Sequence, residues 1–267
     1  MFGGVELGGT KVIVAVGSDP RHVLDVERAP TTTPDETMSW VVDRLRAGER
    51  EHGPLAAIGV ASFGPVDLRP GPTHGQLLNT PKLAWIGASV VEPIRAAFDL
   101  PVGLGSDVEG AALAEGATGA ARGLRHFVYV TVGTGVGMGV VVGGELVRGM
   151  LHPELGHVAV RRQIGDAFEG TCPFHGDCLE GMASGPAMAA RWGQPAETLE
   201  GARRQKAMAM EAAYLAGGLS TAVYAYAPER IVMGGGVGLT PGLLPRVRRA
   251  LQSQLAGYPG LPELDSA

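Results

Sequence analysis

Cysteine is nearly absent from this chain, with two among 267 residues. A disulfide-dense secreted scaffold, which needs even sets of closely spaced cysteines, is therefore excluded. Charge is scarce too, at 18% of residues where soluble domains carry about 25%. The charge present leans negative: 22 Lys+Arg oppose 27 Asp+Glu for a formal −5, and no dense basic run occurs. A nucleic-acid partner is not expected from such a balance. The opening residues, Met1 to Glu6, have no basic stretch leading into a long apolar one, so they do not read as a signal peptide. The most apolar stretch, Val128 to Gly143, is too short and too rich in glycine to span a bilayer, so no membrane partner is expected either. The reading is a soluble cytoplasmic protein.

Glycine, by contrast, is in excess: 42 residues where about 19 would be usual. Hydrophobic residues make up 45% and mean hydropathy is +0.12, enough for a sizeable core and too apolar for disorder. The glycines fall beside apolar runs. Gly4 to Leu7, then Gly8-Gly9-Thr10-Lys11, then Val12 to Val16, read as a hairpin. A helix follows to about Ala47, with Thr33 or Asp35 as its cap. Ala56 to Ala61 reads as a strand ending in Ser62-Phe63-Gly64-Pro65, Ser89 to Phe98 as a helix, Pro101 to Gly105 as a strand and Asp107 to Gly116 as a helix. The pattern then restarts. Strand Phe127 to Val132, turn Gly133-Thr134-Gly135-Val136-Gly137 and strand Met138 to Val142 repeat the first hairpin 124 positions later. Helices at 184–192 and 203–226, a strand Arg230 to Met233 with the turn Gly234-Gly235-Gly236, a helix Leu243 to Leu255 and an irregular tail from Gly257 complete the reading. A repeated topology predicts two α/β lobes, 1–115 and 116–267, with a cleft between them.

Glycine turns let backbone N–H groups approach an anion, and Thr10 and Lys11 suit phosphate; the alternative for any one turn is an ordinary tight hairpin. The dinucleotide fingerprint Gly-x-Gly-x-x-Gly fails because Val108, Met138 and Leu239 stand where glycine is needed, and no Gly-x4-Gly-Lys-Ser/Thr occurs. Both cysteines sit in Cys172-Pro173-Phe174-His175-Gly176-Asp177-Cys178, with His157 fifteen residues upstream. Two thiolates and two imidazoles suit tetrahedral zinc in a closed, structural site. The alternatives are two buried thiols or a small-loop disulfide, the latter disfavoured in the cytoplasm. Asp107, just after an apolar strand, reads as a helix cap or as a carboxylate held at the mouth of the cleft.

The chain resembles the ROK family (repressor, open reading frame, kinase), in its fructokinase-like branch. The resemblance runs nearly end to end. It rests on Glu6-Leu7-Gly8-Gly9-Thr10-Lys11, Ala61 to Pro65, Asn79-Thr80-Pro81-Lys82 with Trp85, Ser106-Asp107-Val108 and Thr131 to Gly137. His152-Pro153-Glu154-Leu155-Gly156-His157, Cys172 to Gly181, Ala183-Ser184-Gly185-Pro186 and Pro228 to Gly236 continue it. It implies two ribonuclease-H-like lobes of actin/hexokinase type that close on ATP and a hexose, most simply fructose, in a homodimer. Asp107 is then the base for the attacking hydroxyl. Gly8, Gly9, Thr10 and Lys11, with Gly133, Thr134, Gly135 and Gly137, hold phosphates, and Gly234, Gly235 and Gly236 lie near the adenosine. Mg²⁺ bridges the phosphates, with Glu6 a nearby carboxylate. Phe63, Gly64, Pro65, Glu154 and Glu180 meet the sugar, although each acid alone would read as a solvated surface group. Zinc falls to His157, Cys172, His175 and Cys178.

Three features depart from the family pattern. Glu109 stands where Asn is usual, two residues past Asp107, and is expected either to raise the Asp107 pKa or to face solvent. Ser106 replaces Asn or Thr, and the usual closing Leu-Gly-x-x-Ala-Gly segment is not found after Gly260. The competing readings are a glucose- or mannose-specific kinase, a sugar-binding relative weakened in catalysis through Glu109 and the shortened tail, and a repressor. Repressors of the family carry a helix-turn-helix domain ahead of the first strand, which here begins by Val5.

Overall fold

A computed structural model of the chain describes residues 1–258; the expected irregular tail and the missing closing segment fall largely outside these residues. The chain forms two compact units. The first comprises 1–122 together with 148–152, and the second comprises 123–147 and the chain from 153 onward. The expected division was 1–115 and 116–267. The difference has local causes. Glu115 at the end of a helix holds the Ala120 amide at 2.7 Å, keeping the next turn with the first unit. Residues 148–152 are bound to the first unit by side chains described below.

The first unit is built on strands β1 (Phe2–Leu7), β2 (Lys11–Asp19), β3 (His22–Pro30), β4 (Ala57–Ser62) and β5 (Val102–Ser106), in the order β3-β2-β1-β4-β5. β1, β2 and β3 are antiparallel neighbours, whereas β4 and β5 run parallel to β1. Alternation places Val5, Leu7, Val12, Val14, Val16, Ile58 and Val60 on one buried face. Helix α1 (Pro34–His52) covers that face with Met38, Val41 and Leu45, each burial contributing about 1.5–3 kcal/mol. Thr33 is its cap, accepting from the Glu36 amide, and Pro34 fits the first turn, where its missing N–H costs nothing. Helices α2 (Glu92–Ala97) and α3 (Asp107–Ala117) follow as expected, α2 shorter than its apolar pattern because Pro93 starts it late. The unanticipated element is β3. It is an edge strand, and Asp25, Glu27 and Arg28 on it give it a polar look.

The second unit carries β6 (Phe127–Val132), β7 (Val136–Val142), β8 (Glu145–Leu146) and β9 (Arg230–Gly234) in the order β8-β7-β6-β9. β6 and β7 are antiparallel and β9 runs parallel to β6, repeating the relation of β1, β2 and β4. Helices α4 (Leu179–Ala183), α5 (Gly185–Trp192), α6 (Gly201–Tyr226) and α7 (Leu243–Leu255) complete it. Val128, Val130, Val132, Met138 and Val140 of the sheet pack with Leu179, Met182, Leu215, Leu219 and Leu251 of the helices. Among the described residues no helix is long and apolar enough to cross a membrane.

Candidate functional site

In the first unit the β1–β2 turn is closed by the Gly8 amide donating to the Lys11 carbonyl at 2.9 Å. Thr31, where β3 ends, clasps it: its hydroxyl donates to the Gly8 carbonyl at 2.8 Å and its amide to the Thr10 carbonyl at 3.0 Å. Thr10 and Lys11 are exposed, so this is a tight, braced turn with its hydroxyl and ammonium facing outward. A second lysine joins it. Lys82 Cε stands 3.7 Å from where a Cβ on Gly9 would be. In the sequence Lys82 is part of a motif only, and chain distance hides its place beside the turn.

Phe63 follows β4, its amide bonded to the Leu7 carbonyl at 2.7 Å and its ring edge-on to Trp85 at 5.5 Å. Gly64-Pro65 is a cis peptide. The chain beyond is held by Asp67, whose carboxylate receives the Arg69 fork at 2.8 and 2.7 Å and the Thr73 hydroxyl at 2.8 Å. The Arg69 guanidinium keeps that carboxyl well below the usual carboxylate range.

Asp107 opens α3 and is exposed. It is not the cap. Ser106 caps the helix, its hydroxyl accepting from the Glu109 amide, and Glu109 closes a capping box. One Asp107 oxygen accepts from the Val108 amide at 2.8 Å. Asp107 is the first residue of the helix, at the positive end of its dipole. Glu109 does not face solvent, contrary to one of its two expected placements: it is 2% exposed and ion-paired to Arg148.

In the second unit the three glycine segments converge. The Gly133 amide donates to Gly135, the Gly133 carbonyl accepts from Gly185 at the start of α5 at 2.7 Å, and a Cβ on Gly133 would lie 3.9 Å from the Gly236 amide nitrogen. Two glycine turns and a helix N-terminus thus share one neighbourhood, the backbone chemistry that suits an anion. Glu180 belongs to the same neighbourhood. Its Oε2 accepts from the Val136 amide at 3.0 Å, 44 residues away in the chain. Glu154 is exposed and precedes a short 3-10 turn, Leu155–His157. Gly156 in that turn allows close approach to β7, since a Cβ there would fall 1.8 Å from the Val136 carbonyl.

The same turn delivers His157 to the cysteines. Cys172 and Gly176 pair through their backbones, with Gly176 at φ +65° reversing the chain, and Cys178 pairs with Ala159. One imidazole nitrogen each from His157 and His175 and the Sγ atoms of Cys172 and Cys178 lie within 4.8 Å of one another. Three sulfur–nitrogen separations are 3.7, 3.6 and 3.5 Å. A tetrahedron with Zn–S of about 2.3 Å and Zn–N of about 2.1 Å has an S···N edge of about 3.6 Å. The three sulfur–nitrogen edges match such a tetrahedron and the donor chemistry suits zinc, and both cysteines are thiols, not a disulfide. Burial pushes the Cys178 thiol up to about 11, and a cation bound to its sulfur would favour the thiolate form.

The ROK family profile matches residues 2–266. A fructokinase of Zymomonas mobilis is 45% identical over 252 residues, 93% of this chain and 84% of that protein. A fructokinase of Streptococcus mutans is 37% identical over 99% of this chain and 89% of its own length. Among solved structures, a ROK hexokinase from Thermus thermophilus superposes with a TM-score of 0.80 at 29% identity, covering 98% of this chain and 91% of that one. The paired α/β units with matching sheets are the actin/hexokinase-type fold that the resemblance implied.

Proposed function

The chain belongs to the ROK family, and on that premise we propose that it is an ATP-dependent hexose kinase that converts fructose to fructose 6-phosphate. The observation that carries the reading is the convergence of the Gly133–Gly137 turn, the Gly234–Gly236 turn and the first residue of α5 beside Glu180. That is a cradle for phosphate with a carboxylate at its edge.

In this reading, Asp107 accepts the proton of the sugar hydroxyl as the oxygen attacks the γ-phosphorus. Gly8 to Lys11 and Gly133 to Gly137 orient the phosphates, and the Gly234–Gly236 turn lies against the adenosine. Glu154 and Glu180 accept hydrogen bonds from sugar hydroxyls, and Phe63, Gly64 and Pro65 border the sugar. Mg²⁺ bound with ATP supplies charge neutralisation at the phosphates. Zinc on His157, Cys172, His175 and Cys178 plays no part in the chemistry. With four protein donors its role is to fix the loop, and Glu154 stands three residues before one donor and Glu180 two residues after another. The cytoplasm is the compartment that suits two cysteines kept as thiols.

The test is ADP release with a panel of fructose, glucose, mannose and an N-acetylated hexose, magnesium and zinc both controlled. Fructose should give the highest kcat/KM. Preference for glucose or mannose would replace the substrate and keep the class. Asp107→Asn should lower kcat by about 10²–10⁴-fold with sugar and ATP binding near normal. Its melting temperature should barely change, because Ser106 and not Asp107 is the cap. A kcat within a few-fold of the parent would remove Asp107 as the base.

A further inference from the structure

Glu109 and Arg148 are linked more tightly than a capping box requires. Glu109 Oε2 accepts from the Ser106 amide at 2.8 Å, the ordinary capping-box bond. Arg148 then adds a fork: its Nε donates to Oε1 at 2.7 Å and its Nη2 to Oε2 at 3.1 Å. The same Nη2 donates to the Leu104 carbonyl on β5 at 3.1 Å. Strand β5 leaves room for this, because a Cβ on Gly105 would stand 3.0 Å from the carboxylate and 3.1 Å from the guanidinium. The first turn of α3, strand β5 and the chain at Arg148 are therefore bonded through this one pair.

Arg148 also comes from an unusual piece of chain. The backbone leaves the second unit after Val147, joins the first unit for Arg148–His152, and returns at Pro153. The excursion is held at both ends. Arg148 anchors one end on the first turn of α3. At the other end the His152 imidazole lies 3.5 Å from where a Cβ on Gly64 would be, against the Phe63–Pro65 turn. One residue beyond Pro153 is Glu154.

We propose that Glu109 and Arg148 form a positioning pair for Asp107. The pair fixes the first turn of α3, from which Asp107 projects, and ties down the segment that leads into Glu154. What Asp107 does rests on the hexose-kinase reading; the anchoring does not. The carboxylate is 2% exposed and the guanidinium 40%, so removing Arg148 leaves a buried charge without its counter-ion, whereas removing both charges does not. Reacting groups tolerate little displacement, a shift of about 1 Å costing about 10²-fold in rate.

The experiment compares Glu109→Gln, Arg148→Met, Arg148→Lys and the Glu109→Gln/Arg148→Met double variant in the full chain. Two quantities are read: kcat with the separate KM values, and hydrogen exchange at the Ser106 and Glu109 amides that the capping box holds. Glu109→Gln keeps a capping-box acceptor and loses only the charge. Arg148→Met should lower kcat by about 10–100-fold with the ATP KM within about twofold, and speed exchange at both amides about tenfold or more, the change expected where a local hydrogen bond is lost. Arg148→Lys should recover part of both effects, and the double variant should be no worse than Arg148→Met alone. A melting temperature that falls while kcat, measured well below it, stays within twofold would overturn the proposal. Unchanged amide exchange in Arg148→Met would overturn it too, even if the parent proved to phosphorylate no hexose, a result that would defeat the kinase reading separately.

Discussion

Gly135 is where the geometry changes what a substitution should do. From the sequence it belongs to a phosphate turn alone, and a side chain there should raise the ATP KM and leave the sugar untouched. In the structure a Cβ on Gly135 would stand 2.6 Å from Glu180 Oε2, far inside van der Waals contact. That oxygen accepts from the Val136 amide at 3.0 Å. Gly135→Ala must therefore push the carboxylate aside and break a charge-assisted hydrogen bond. Such bonds contribute about 1.5–3 kcal/mol, and at about 1.4 kcal/mol per factor of ten the loss amounts to about 10–150-fold. The fructose KM should rise along with the ATP KM, the two effects sharing that range. Gly135→Val adds branching and should be worse on both. Steady-state kinetics varying each substrate at saturating levels of the other measures this, with Glu180→Gln as the partner in a double-mutant cycle. If Glu180 is the conduit, the sugar effects of Gly135→Ala and Glu180→Gln will not add. A Gly135→Ala enzyme with both KM values within twofold of the parent would refute the coupling, and a rise in the ATP KM alone would remove Glu180 from the sugar.

Protein purified without added metal should carry about one zinc per chain by elemental analysis, as a four-donor site implies, and Cys178→Ser should lose it. The fructose KM should rise with that loss, because Glu154 and Glu180 flank the donors; zinc-depleted protein with normal sugar binding would contradict this. Glu211 on α6 is fully buried, neither carboxylate oxygen meets a donor among the described residues, and burial raises its pKa well above the usual carboxylate range, opposed by the Arg191 charge. The folded state therefore holds this proton more tightly than the unfolded one, so its contribution to stability is full below about pH 4.5 and declines as pH rises through the raised value. Glu211→Gln should melt progressively higher than the parent as pH is raised from 5 to 8, and parallel melting curves across that range would count against a buried, proton-bearing Glu211.

What was legible from the sequence divides by chain distance. The hairpins, α6 and α7 announce themselves by local periodicity, and the metal donors do so because Cys and His rarely crowd a seven-residue span. Ser106-Asp107-Val108-Glu109 is a further local signal, a Ser-x-x-Glu capping box that marks Ser106 as the cap and turns Glu109 back on the backbone. The edge strand β3 was hidden for a different reason. Its surface charges blur the alternation that marks a half-buried strand. The contacts that define the candidate site were beyond reach in principle, because nothing local encodes them. Glu180 finds Val136 across 44 residues and Arg148 finds Glu109 across 39. Glu180 meets a backbone amide and Glu109 a guanidinium, and in both cases only the fold brings the partner near. The same division explains why Glu109 is easily misread. Seen along the chain it is a second carboxylate crowding Asp107, a threat to the base. Folded, it is neutralised by Arg148 and built into the helix start, so the departure from the family pattern came with its own counter-charge.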